Sequence, residues 1–189
     1  MTIAGRFQAA LRGMHEPGLA GPELLPVRLA RATARTLQVN GAGISVLDGG
    51  QQPFRLGASS DATALAERLQ LTAGEGPCLT ARRSRQPVFA LEADLRRRWP
   101  AFCSLLLART PFRAVVALPL QPALVGAGAL DLFFERPEDV TELDVFEALA
   151  VGELVNSALS DAVVWSESSP ADVPEWLRGE DLRFPGPDG

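Results

Sequence analysis

Lysine and tyrosine are absent from this chain, and histidine occurs once. Without lysine there is no Schiff-base amine and no Walker-type phosphate lysine; without tyrosine there is no phenolic acid or base. His15, followed by Glu16 and Pro17, has no second imidazole to share a metal with, and a lone histidine of this kind reads as a surface residue. The two cysteines, Cys78 and Cys103, lack metal-ligand spacing, so reduced thiols and a cytoplasmic chain are expected. No apolar run approaches the ~18 residues of a membrane span, and the N-terminus has no apolar signal-peptide core. All 18 basic residues are arginine, which reads as a coding bias, and the net charge of −5 makes the chain a poor polyanion binder. Neither nucleic acid nor membrane is expected as a direct partner.

What is present suits one domain with trimmings: 189 residues and 47% hydrophobic content are enough for a real core. Periodicity predicts a short amphipathic helix over Ile3 to Met14 and a longer one over Glu23 to Val39. A strand from Gly43 to Leu47, the turn signal Asp48-Gly49-Gly50 and a strand near Phe54 to Ala58 predict a hairpin. Asp61 is expected to cap a helix over Ala62 to Gln70. A short strand over Val88 to Leu91, a turn over Asp94 to Trp99 and a helix over Pro100 to Arg109 follow. Phe112 to Leu120 and Ala127 to Phe134 are the clearest strands, and a helix from Thr141 to Trp165 is the longest. Ser166 to Gly189, rich in Pro, Ser, Asp, Glu and Gly, reads as a largely disordered tail carrying one apolar patch at Val173, Trp176 and Leu177. Strands and helices do not alternate strictly, so the class is α+β with an antiparallel sheet. The expected divisions are 1–20, 21–165 and 166–189.

The chemistry concentrates in Gly74-Glu75-Gly76-Pro77-Cys78. The glycines allow a tight path, Pro77 is tolerated as a first helical residue, and Cys78 falls in the first turn, where helix N–H groups favour an anion or a thiolate. Cys78 is therefore a redox or ligand candidate, or a small residue packing a helix on the sheet. Glu75 reads as a ligand contact, a cap on nearby backbone or an exposed loop acid. In Ala127 to Phe134, Leu130, Leu132 and Phe134 share one face, while Ala129, Asp131 and Phe133 share the other. Asp131 is either a buried acid needing partners or an acid on an exposed face.

Leu69-Gln70-Leu71 leading into Gly74-Glu75-Gly76-Pro77-Cys78 resembles the GAF sensory domains of actinobacterial regulators, many of which carry an RNA-binding ANTAR domain. Gly41-Ala42-Gly43-Ile44-Ser45-Val46, Arg98-Trp99-Pro100 with Phe102, Arg113-Ala114-Val115 through Pro119-Leu120 and Gly128-Ala129-Leu130-Asp131-Leu132 follow in the family's order, over roughly residues 25 to 160. The resemblance implies a GAF-like, PAS-related α+β fold: a central antiparallel sheet of five to six strands, backed by terminal helices, with a ligand pocket on the other face. Ser45, Glu75, Cys78, Trp99, Phe102, Asp131 and Phe133 are its candidate ligand residues. About two dozen residues from Ser166 onward are too few for an ANTAR unit.

The cyclic-nucleotide type of GAF domain needs a lysine, the bilin type a histidine beside its cysteine, and a haem would depend on His15 alone, so no cofactor or metal is expected. The expected function is a non-enzymatic sensor of a small molecule or of redox state, signalling to a partner protein in transcription regulation. The predicted last helix is apolar on two sides, and Phe146, Ala150, Val151, Leu154, Val155 and Ala158 are its candidate homodimer contacts. The alternatives are a methionine sulfoxide reductase-like thiol enzyme and a dimerisation scaffold with an empty pocket.

Overall fold

A computed structural model of the chain describes residues 2–14, 21–47, 53–121 and 127–168. Helix α1 (Ile3–Arg12) is capped by Thr2, whose hydroxyl accepts the Gly5 N–H, and turns Phe7 inward. A 3-10 turn at Pro22–Leu24 leads into α2 (Leu25–Leu37). Strands β1 (Gly41–Leu47) and β2 (Pro53–Ala58) pair antiparallel, as the alternating pattern predicts; their connecting turn lies outside the described residues. Then come α3 (Asp61–Ala73), α4 (Pro77–Ser84), β3 (Val88–Ala90), α5 (Glu92–Arg98) and α6 (Pro100–Arg109). Strands β4 (Ala114–Leu120) and β5 (Gly128–Phe134) precede α7 (Asp139–Glu142) and α8 (Val145–Ser168).

The five strands form one antiparallel sheet in the order β2-β1-β5-β4-β3. Strand β5 is central and buried at all seven positions, as a strand covered on both faces must be. One face carries Ile44, Val116, Leu118, Leu130 and Leu132 against Phe7, Leu29, Val151, Val155 and Leu159 of α1, α2 and α8. The other carries Val115, Ala117 and Phe133 against α3 to α6, through Leu69, Leu95, Phe102 and Leu106. Each large apolar side chain buried this way contributes about 1.5–3 kcal/mol. At the sheet edge, Gly57 lets β2 approach the Pro26–Val27 backbone of α2, where any side chain would collide. No helix among the described residues is long and apolar enough to cross a membrane.

Three expectations are corrected. Residues 92–98 form a helix rather than a turn: Glu92 and Asp94 occupy its positive end, and each pairs with an arginine one turn on, Arg96 and Arg97, at 2.6 and 2.8 Å. As expected, Pro100 begins the next helix, with Trp99 as the joint. The long final helix starts at Val145, because the Asp144 carboxylate accepts the Phe146 and Glu147 N–H groups at 2.9 and 3.1 Å and caps it. Ser60, not Asp61, caps α3 through the Thr63 N–H. His15, the tail beyond Ser168 and its apolar patch lie outside the described residues.

Candidate functional site

Strand β1 presents Gly41, Gly43 and Ser45 to the second face of the sheet, beneath α3. A Cβ at Gly41 would strike the Thr63 hydroxyl, and one at Gly43 the Glu67 carboxyl. The missing side chains make room for a polar stripe on α3. Thr63, Glu67 and Gln70, at i, i+4 and i+7, are all fully buried. Asp131 pairs with Gly43 across β1 and β5, so its carboxylate enters the same space.

Helix α4 supplies the remaining groups. Gly74 ends α3 with φ of 66°, and Gly76 precedes α4 with φ of 151°, where a Cβ would meet the Gln70 side chain. Cys78 and Arg82, one turn apart, then face inward and are 0% and 4% exposed. The Gln70 amide joins the elements: Nε2 donates to Asp131 Oδ2 at 2.7 Å, and Oε1 accepts the Cys78 N–H at 3.0 Å. Ser45 Oγ lies 3.7 Å from Cys78 Sγ. Ligating atoms of Glu67, Cys78 and Asp131 all fall within 4.8 Å of one another. Both Glu67 oxygens, Asp131 Oδ1 and both terminal nitrogens of Arg82 are buried with no hydrogen-bond partner among the described residues.

Burial, then the neighbouring Asp131, pushes the Glu67 carboxyl well above its ordinary range. Burial also raises Asp131, to about 6, against the opposing pull of Glu67, Gln70 and Arg82. The two carboxyl groups face each other as acceptors and become hydrogen-bonded only when a proton sits between them, and burial favours that protonated form. The Cys78 thiol is likewise pushed up, first by burial and then by Asp131 and Glu67. Its place in the first turn of α4 does not overcome this, and the thiol stays protonated.

No family model and no curated protein matches the chain. Solved structures do. The GAF domain of an Acinetobacter phosphoenolpyruvate-protein phosphotransferase superposes with a TM-score of 0.59 at 11% identity, over 90% of this chain and 99% of that one. The corresponding domain from Coxiella burnetii gives 0.58 at 13% identity, over 90% and 99%. An N-acylhomoserine lactone-dependent LuxR-family transcription factor from Burkholderia cenocepacia gives 0.58 at 14%, over 84% and 93%. The fold is that of a GAF domain.

On this GAF sheet, Ser45, Cys78 and Asp131 come together as a set. Glu75 does not join them: its Oε1 accepts the Ala101 and Phe102 N–H groups at 2.8 and 3.2 Å, capping α6 and tying the glycine loop to it. Trp99, Phe102 and Phe133 are at most 5% exposed within the second-face apolar cluster, with Phe133 stacked on Phe112 at 5.0 Å and the Arg98 guanidinium over Trp99 at 4.2 Å. A cavity of about 320 Å³ lies on the terminal-helix side of the GAF fold, bordered by Arg6, Thr36, Arg136, Asp139 and Glu147. Arg6 pairs there with Glu147, and Arg136 with Asp139. Val151 and Val155, expected at a dimer contact, are 0% exposed against the chain's own sheet. Ala150, Leu154 and Ala158 are half-buried, and Phe146 is 85% exposed beside Val145 and Leu149.

Glu67, Gln70 and Arg82 carry the cluster yet were not among the residues expected there. Polar side chains on an amphipathic helix default to solvent, and the signal that could have found them is the pair of glycines at 41 and 43 opposite the 63–67–70 stripe.

Proposed function

We propose that the chain is a non-enzymatic sensory GAF domain of the regulator type. It receives a small ligand at the Glu67–Asp131–Cys78–Arg82 cluster and passes the change on, as a homodimer, through its terminal helices to a partner protein in transcription control. The observation that supports this is a group of buried polar atoms, at least one Glu67 oxygen and both terminal Arg82 nitrogens, that have no hydrogen-bond partner among the described residues even when Glu67 and Asp131 share a proton, gathered where the GAF resemblance puts the ligand. Orphaned polar atoms of this kind each cost about 1–3 kcal/mol, a cost that a complementary ligand removes. Two of the fold neighbours belong to a phosphotransferase and one is a lactone-dependent transcription factor. Burial, which pushes the Cys78 thiol up, supports a ligand contact over a nucleophile.

The test is thermal unfolding of the purified chain against a small-molecule library, with Asp131→Asn alongside. A true ligand present at a hundred times its Kd stabilises the wild type by about 2.7 kcal/mol and leaves Asp131→Asn nearly unmoved. Equal stabilisation of both proteins by every hit would move the binding site elsewhere.

A further inference from the structure

Three side chains from three elements, Glu67 of α3, Cys78 of α4 and Asp131 of β5, bring one sulfur and two carboxylate oxygens within 4.8 Å of one another. Acids gathered on a surface would mean little, but here every member is fully buried. Glu67 in addition has no hydrogen-bond partner among the described residues other than the Asp131 carboxyl, so at least one of its oxygens is unengaged. Gln70 fixes Asp131 through Oδ2, and no other residue among those described donates to Oδ1. This is how an outer residue orients a ligating carboxylate.

We propose that Glu67, Cys78 and Asp131 form a binding site for one divalent transition-metal ion of borderline softness, of the zinc or ferrous-iron class. The proposal rests on the reading of this cluster as the ligand-receiving centre and narrows the ligand to a cation. A thiolate with two carboxylates suits such an ion, whereas magnesium and calcium take oxygen alone. Ions of this class sit about 2.0–2.3 Å from oxygen and sulfur donors, so closing on one requires each side chain to move by less than about 1 Å.

Charge also fits the loaded site: with the three donors deprotonated, a divalent ion and the Arg82 guanidinium together offset three anionic charges. The loaded site then buries no net charge, which gives Arg82 a role as counter-charge without making it a ligand. Three protein donors leave the fourth position to water.

The experiment is a cobalt(II) titration of the full chain after chelator treatment, followed optically. The expected result is saturation at one equivalent with a near-ultraviolet sulfur-to-cobalt charge-transfer band, displaced by zinc and untouched by magnesium. The band is expected to vanish in Cys78→Ser, to persist in Cys103→Ser, and to need at least tenfold more cobalt in Glu67→Gln or Asp131→Asn. X-ray absorption of the zinc-loaded wild type needs no variant and is expected to show one sulfur among lighter ligands. A flat titration of the folded wild type, a zinc shell without sulfur, or a band that follows Cys103 instead of Cys78 overturns the assignment. Those failures leave the sensory reading standing, because the thermal screen against organic ligands tests it separately.

Discussion

At the scale of single residues, Glu67 and Asp131 make a signed prediction about pH. Both carboxyl groups are raised in the folded chain above the ordinary range of about 4 that they take when unfolded. The folded state therefore binds more protons between those values, and stability falls as pH rises through that window. The contribution is fully present below about pH 4 and is lost as pH rises through the folded-state values. Glu67→Gln removes the shared titration. In chelator, its unfolding free energy should gain on the wild type as pH rises from about 4 through about 6; parallel curves would contradict the shared-proton arrangement. Glu75 acts differently, as a cap on another helix. Glu75→Ala loses the bonds to the Ala101 and Phe102 N–H groups and should cost about 1–2 kcal/mol in denaturant unfolding. No loss at all would mean that the loop is held by its glycines alone.

Between elements, the packing of α3 on β1 depends on glycine where the strand passes under Glu67. Gly43→Ala should destabilise the chain by about 1–3 kcal/mol, and by much less in a Glu67→Ala background, because the two side chains compete for one space. Additive costs in that double-mutant cycle would show that the glycine serves some other purpose. The same contact explains what could and could not be read from the residues alone. The strands were legible because Leu130, Leu132 and Phe134 alternate with Asp131 and Phe133, and the structure keeps those faces. The glycine loop was legible because Gly74 and Gly76 permit positive-φ backbone that other residues avoid, and Pro77 suits a first helical residue. The break before α8 was not, since Thr141-Glu142-Leu143 reads as helix and only the Asp144 side chain shows where the cap falls. Helix α5 was hidden behind Pro100, which suits a first helical residue as well as a stop. Arg82 was hidden because arginine near a helix C-terminus already has a sufficient explanation in the dipole.

For the whole molecule, the sheet has one covered face that is almost wholly apolar and another with a polar centre. The terminal helices α1 and α8 close the apolar face and pack Phe7, Val151 and Val155 into it, so any change at the cluster crosses the sheet before reaching them. Phe146, with Val145 and Leu149, is left outside that core at the start of α8. If the homodimer uses this end of α8, Phe146→Glu should shift sedimentation from dimer to monomer with unfolding unchanged; a wild type that is monomeric at all concentrations would remove dimerisation from the account. Val155→Glu is expected instead to unfold the chain, because it puts a charge into the apolar core.

The most direct test of the central claim, that the buried polar cluster receives a ligand, is native mass spectrometry of the chain purified from its own kind of host. The account predicts an added small mass, molecule or ion, that is lost on denaturation and missing from a folded Asp131→Asn variant. A native mass equal to the denatured mass, together with no ligand-induced stabilisation in the thermal screen, would contradict it and leave a scaffold with a filled interior.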